Sequence, residues 1–461
     1  MLPQGIAGRL FNVLAPVVFV SMIDRGLLAF AAADLSRALE MDTAEYGAVA
    51  GAFYLPYAVL QFPSLWVANR TNPRSWLGAV LVLVGLITFA TAFVRSKAQL
   101  AMARILLGAV EGGIFPIMFL VVNNTLREPA VTHVWTWMYA TIQLSLIAAG
   151  PFADAINTTL HGVAGLAGWQ WMFVLNGLLA MACAGYVVAA LPVGPDEPIA
   201  EVPMKARRVS DEGSVRLRSP QRRPSLSPVL ERSSGGETTN LLQSLRDWKT
   251  AYLSATQVFA AVPGAAFAYF SPMLIEDLLR GANNHTLADA KRTAFLLNAV
   301  PFTLAFLGIS LVSQTMKVTR DRFWHGTIAL LVSGTLSLLY PTVYMTGSTA
   351  STFTCICVYY AVYATFSVAL DTLPVLYCSM GGQSPAAVYC MANSFKALGE
   401  LVGPPSCGYF MQRFGSAVAV SLGGLGFILP TGILFVLFFY IASSPATPPV
   451  MCKYTEHKCA T

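Results

Sequence analysis

The chain has 461 residues, of which 55% are hydrophobic and only 11% charged, and its formal net charge is +6. Soluble domains carry about 25% charged residues, so a water-soluble globule of this length is excluded, because its interior could not hide that much apolar surface from water. The positive charge lies mostly between the apolar runs, which leaves a nucleic-acid partner without support and makes charge a matter of membrane orientation.

In chain order, apolar runs of about 20 residues, long enough to cross a bilayer, fall at roughly 10–33, 44–67, 75–95, 98–122, 133–157, 168–191, 250–275, 292–316, 324–345, 352–378, 385–411 and 416–442. The first is too long for a cleavable signal and has no small-residue cleavage site after it, so it is expected to stay as a membrane helix. Six runs, a long polar stretch and six more runs predict an all-α membrane protein with twelve transmembrane helices in two pseudo-symmetric six-helix bundles. The bundles are expected over 1–191 and 250–443, with a cytosolic, mostly disordered linker over 192–249 and a cytosolic tail over 444–461. Gly150-Pro151 in the fifth run and Gly403-Pro404 in the eleventh echo each other across the two halves.

The linker is rich in Pro, Ser and Arg and too poor in apolar residues to offset its ordering entropy. Near its end Leu241, Leu242, Leu245 and Trp248 have the spacing of a short amphipathic helix. Serines 210 and 225 follow paired arginines, a pattern for basic-directed kinases, and Glu237 with Leu241-Leu242 resembles an acidic dileucine signal for a sorting adaptor. Such short motifs also recur by chance. Lys and Arg favour the side that holds both termini and the linker, mostly through the linker itself. Both termini are therefore expected in the cytosol, in the plasma membrane or an endolysosomal membrane.

The fourth run carries Arg104 and Glu111 in a stretch that otherwise belongs in hydrocarbon. Burying either charge costs at least ~2.5–3.5 kcal/mol on insertion scales. Their spacing of seven residues returns them to one helix face with a drift of only ~20°, yet sets them roughly 10 Å apart along the axis. They cannot neutralise each other, so each needs a partner on another helix. Asp24-Arg25, in the first run, supplies both signs. A guanidinium forks onto carboxylates, so Arg25 and Arg104 are candidate ligands for an organic anion. Asp24 and Glu111 are candidate proton sites, because burial favours the neutral acid while a nearby arginine favours the carboxylate. The alternative for all four is a set of structural ion pairs. Tyr57, Gln143 and Asn393 are candidate hydrogen-bond donors to the anion, or helix–helix contacts. Lys396 is a further candidate anion ligand, although Glu400, four residues on, is placed to neutralise it. Gly108 and Gly112 form a small-xxx-small pair that lets helices approach closely.

These residues resemble a known family. Asp24-Arg25, Phe53-Tyr54 with Tyr57, Gln61, Phe62 and Pro63, the stretch Pro73-Arg74-Ser75-Trp76-Leu77, the segment RILLGAVEGGIFP from Arg104 to Pro116, and Gly168-Trp169-Gln170-Trp171-Met172-Phe173 together resemble the anion:cation symporters of the major facilitator superfamily. That group holds hexonate, allantoate, nicotinate and pantothenate permeases. The match is dense over about residues 20–192 and thins afterwards to Asn393 and Gly403-Pro404. Lys396 and Glu400 depart from the pattern, standing where the family has small residues, and Asp371 adds an acid to the tenth run. The resemblance implies a secondary transporter that moves a small organic anion by alternating access, coupled to protons. A uniporter or exchanger without proton coupling, and a membrane sensor or scaffold that signals through the linker, remain alternatives. No nucleophile–base pair, metal-ligand set or phosphate loop is apparent, so neither an enzyme nor a cofactor is expected.

Overall fold

A computed structural model describes residues 5–68, 70–126, 130–191, 247–281, 287–319, 323–370 and 385–442. The regular structure of these residues is helical throughout. In the first half it comprises α1 (Gly5–Ala38), α2 (Thr43–Ala68), α3 (Pro73–Thr91), α4 (Lys97–Thr125), α5 (Ala130–Thr159) and α6 (Gly168–Ala190). In the second half it comprises α7 (Trp248–Gly281), α8 (Leu287–Leu297 continued by Ala299–Thr319), α9 (Phe323–Met345), α10 (Thr349–Leu370), α11 (Pro385–Phe414) and α12 (Ser416–Phe438). Nine of these are long and apolar enough to cross a membrane on length and composition alone. The others are α5, α10 and α11, with 30, 22 and 30 residues; α11 carries the charges Lys396 and Glu400. The kinase and sorting motifs, the leucines of the expected amphipathic helix, Asp371 and the C-terminal tail lie outside the described residues. Trp248 and Lys249, expected at the end of the linker, instead open α7, with the Trp248 ring against Phe438 of the last helix.

Local sequence sets several of the helix starts. Asp42 and Glu45 form a reciprocal capping box at the start of α2. Asn72 caps α3 with Pro73 in its first turn, and Ser96 caps α4. Two helices are interrupted where the apolar runs predict continuous ones. α2 breaks after Gly51 and resumes at Tyr54, and α4 breaks after Glu111 and resumes at Ile114. A proline follows each break. Pro56 and Pro116 have no N–H to give the carbonyls of Ala52 and Gly112, four residues earlier, and their rings crowd those carbonyls. The breaks lie beside each other, because α4 presses on α2 through Gly108. A Cβ on Gly108 would lie 1.9 Å from the Phe53 carbonyl oxygen, so only glycine fits. Gly112 meets the Tyr57 carbonyl in the same way, and the expected small-residue contact is the α2–α4 seam.

The chain crosses from the end that holds Gly5 to the opposite end with each odd-numbered helix and returns with each even one. At that opposite end the two bundles are bridged. Lys291 of α8 pairs with Asp34 of α1 at 2.7 Å, and its neighbour Arg292 with Asp154 of α5 at 3.5 Å. Beneath them the rings of Phe30 and Phe295 meet edge to face with centroids 4.8 Å apart. Toward the other end Tyr389 of α11 stacks on Phe119 of α4 at 4.4 Å, with Trp135 of α5 alongside. Between these layers α2 and α11 run antiparallel in close contact, from Thr43 against Gly408 to Gln61 against Asn393.

The Lys291 and Arg292 pairs are partly exposed, so each contributes about 0.2–1 kcal/mol. Replacing both residues by glutamine is expected to raise the maleimide labelling of a cysteine placed at Phe30 by about 1.4- to fivefold per bridge lost. Unchanged labelling would show that packing alone holds this end together.

Candidate functional site

Asp24 and Arg25 are adjacent on α1, so the helix turns their side chains about 100° apart, and each takes a different partner from α4. Arg104 Nη1 donates to Asp24 Oδ2 at 2.8 Å, with both side chains fully buried. Arg25 Nη2 donates to Glu111 Oε2 at 3.1 Å. Arg104 and Glu111 each need a partner of opposite sign on another helix, and one dipeptide of α1 supplies both.

The two pairs have different surroundings. Asp24 also accepts from Thr88 Oγ1 of α3 at 3.3 Å and from Asn176 Nδ2 of α6 at 3.5 Å, and Arg104 lies over the Phe173 ring of α6. This pair therefore ties four helices of the first bundle together in its interior. Glu111 accepts a second bond on the same oxygen, from Ser21 Oγ at 2.7 Å, while its other oxygen is buried without a hydrogen-bond partner. Arg25 is the most open member of the quartet, at 12% exposure against 1% for Glu111 and 0% for Asp24 and Arg104. Its guanidinium carbon lies 4.6, 5.4 and 5.6 Å from the ring centres of Phe53, Tyr57 and Tyr54, at the break in α2. Aromatic faces attract a cation without consuming its N–H donors. Arg25 Nε is buried and makes no hydrogen bond. Glu111, the last residue before the break in α4, faces this cluster.

The remaining predicted residues fall around Arg25. Asn393 Nδ2, from α11, donates to the Tyr57 hydroxyl at 3.3 Å and to Gln61 Oε1 at 3.0 Å, which joins the second bundle to the aromatic wall around Arg25. Gln143 of α5 is buried next to Tyr360 of α10 and thus sits on a different inter-bundle seam from Asn393. Lys396 and Glu400 are half-buried on α11.

Three contributors escaped sequence reasoning. Ser21, Thr88 and Asn176 look like ordinary polar residues of membrane helices, and nothing in their spacing marks them as carboxylate donors. A fourth is Tyr269 of α7, fully buried, whose ring meets Tyr54 edge to face at 6.3 Å. It lies within electrostatic reach of Arg25, Arg104 and Asp24, and is thus a group from the second bundle that faces the quartet.

Two helical bundles meeting across a charged, aromatic-lined centre, with discontinuous helices on one side of it, define a secondary membrane transporter. Residues 14–404 match the model of the Major Facilitator Superfamily. The chain belongs to that superfamily, and is accordingly a transporter and not an enzyme. It is similar to a putative tartrate transporter of Agrobacterium vitis, 26% identical over 439 residues that cover 94% of this chain and 92% of that protein. It is also similar to a quinolone resistance transporter of Acinetobacter baumannii, 24% identical with 95% and 94% of the two chains covered. Among solved structures, a bacterial homolog of the human lysosomal transporter Spinster, inward-facing and unoccupied, aligns with a TM-score of 0.63. That alignment covers 96% of this chain and 98% of the other at 15% identity, and speaks for the fold alone.

Proposed function

We propose that the protein is a proton-coupled symporter of a small organic anion. The observation that carries this reading is the inequality of the two buried ion pairs. Asp24–Arg104 is sealed with both carboxylate oxygens engaged, whereas Arg25 is 12% exposed against an aromatic wall and Glu111 keeps one carboxylate oxygen without a hydrogen bond among the described residues. In the proposed cycle Glu111 takes a proton and releases Arg25, whose fork then receives the substrate carboxylate. Asn393 and Tyr57 hold the junction between the bundles, with Gln143 and Lys396 as further contacts to the anion. Loss of the proton on the other side restores the Arg25–Glu111 bond and expels the anion. Asp24 and Arg104 are assigned the frame that holds Arg25 in place, although both were first expected at the proton or substrate. The tartrate-transporter relatives agree with a carboxylate cargo.

The test is uptake by proteoliposomes of labelled sugar acids, nicotinate, pantothenate and hydroxy-dicarboxylates, with and without an inward proton gradient. Glu111→Gln mimics the protonated acid permanently. The variant is expected to keep substrate exchange while losing gradient-driven accumulation. Normal uphill uptake by Glu111→Gln would remove Glu111 from the coupling, and gradient-independent uptake by the unaltered protein would select the uniporter or exchanger.

A further inference from the structure

The two charges on α11 stand outside the quartet, and their placement follows from the contacts of that helix. At about 100° per residue, Asn393, Lys396 and Glu400 fall within an arc of about 60°. Roughly opposite that arc lie Leu398, Val402 and Tyr409, all exposed on the outer surface of the bundle. One flank of the arc is the seam with α2, where Ser394 Oγ donates to the Ala58 carbonyl at 2.8 Å and Leu401 meets Gly51. The other flank is the seam with α7, where Gly399 and Gly403 press on the carbonyls of Val258 and Val262. Lys396 and Glu400 therefore point between α2 and α7, toward the centre of the molecule. The antiparallel pairing fixes their depth. Gln61 meets Asn393, Ala58 meets Ser394 and Gly51 meets Leu401, so Lys396 to Glu400 runs alongside Phe53 to Tyr57, whose rings surround Arg25. Glu400 lies within electrostatic reach of the Tyr54 and Tyr57 hydroxyls. Both charges engage neighbours in the resting structure, as Arg25 does through Glu111.

We infer that the substrate is an amino-acid-type carboxylate, with its carboxylate on Arg25 of α1 and a protonated amine on Glu400 of α11, beside the faces of Tyr54 and Tyr57. This deepens the organic-anion reading and rests on it. A carboxylate at the depth of the anion site repels a cargo that is purely anionic and selects one that also carries a cation. The same aromatic rings that surround a guanidinium suit an ammonium. Lys396, one turn from Glu400, offsets that repulsion in the empty site.

Binding of matched probes to the purified full chain tests this, by calorimetry with butyrate against 4-aminobutyrate, succinate against aspartate, and hexanoate against 6-aminohexanoate. In at least one pair the amine-bearing member is expected to bind about tenfold to a hundredfold tighter, the range for a hydrogen bond to a charged group. Glu400→Gln should erase that preference while leaving the amine-free member bound. Equal or tighter binding of the amine-free members by the unaltered protein would overturn the inference and leave the organic-anion reading standing. The same holds if the preference survives in Glu400→Gln. Absence of binding to every carboxylate, by protein with a cooperative melting transition, would overturn both.

Discussion

Arg25→Ala is expected to abolish substrate binding and uptake while leaving a folded protein. The guanidinium is held by Glu111 and three aromatic rings and carries the donors assigned to the carboxylate. Removing one partner of a buried, hydrogen-bonded charge pair costs about 2–5 kcal/mol, which corresponds to roughly thirtyfold to several thousandfold in affinity. Arg25→Lys keeps the charge but loses the planar fork, so it should retain a small fraction of uptake and bind dicarboxylates and monocarboxylates less selectively. The double variant Arg25→Met with Glu111→Gln removes both charges. It should melt close to the unaltered protein and remain inactive, which separates a lost function from a lost fold. Uptake within twofold of normal in Arg25→Ala would sink the assignment.

The second large effect falls on stability. Asp24→Ala leaves Arg104 charged, fully buried and stripped of its one hydrogen bond among the described residues. Breaking a buried pair in this way is destabilising by about 3–5 kcal/mol, whereas replacing both partners with apolar groups of similar volume is often neutral or better. Asp24→Ala should therefore lower the melting temperature in detergent sharply, and Asp24→Leu combined with Arg104→Met should recover it. As a frame, the double variant should recover much of the uptake as well. A double variant that melts normally but transports nothing would move Asp24 or Arg104 out of the frame and into the binding or coupling step.

Much of this arrangement was legible in the sequence, and the reason is energetic. A charge inside an apolar run is costly enough to demand a partner, so Arg104 and Glu111 at one face pointed to Asp24-Arg25. The sequence did not say which acid meets which base. Adjacent residues on α1 diverge by about 100°, and only the crossing of α1 against α4 decides that Asp24 takes Arg104. The apolar runs predict twelve helices, and nine of those described are long and apolar enough to cross a membrane. They do not predict the breaks in α2 and α4, although Pro56 and Pro116 follow them. A proline is not a specific signal of a break, because Pro16, Pro63, Pro151 and Pro341 lie inside uninterrupted helices. Tyr269 and Asn176 were not readable, because a single tyrosine or asparagine in a membrane helix satisfies packing as often as it serves a site. Lys396 and Glu400 were visible as anomalies, but their opposite spacing invited a local pairing. The contacts of α11 with α2 and α7 show which way that face looks.

The bridged end of the molecule has a consequence for the medium around it. Lys291 and Arg292 are neighbours, yet they reach two different helices of the first bundle, so the bundles cannot part at this end without breaking both bonds. Ions screen such partly exposed pairs, with a Debye length that shrinks from about 30 Å at 0.01 M to about 3 Å at 1 M. The buried quartet is shielded from that influence. The ionic strength of the one compartment that this end faces thus becomes a lever on the resting conformation. Salt added to that side of a vesicle is expected to loosen the closure by no more than the small free energy of the two pairs, and salt added to the other side to leave it alone.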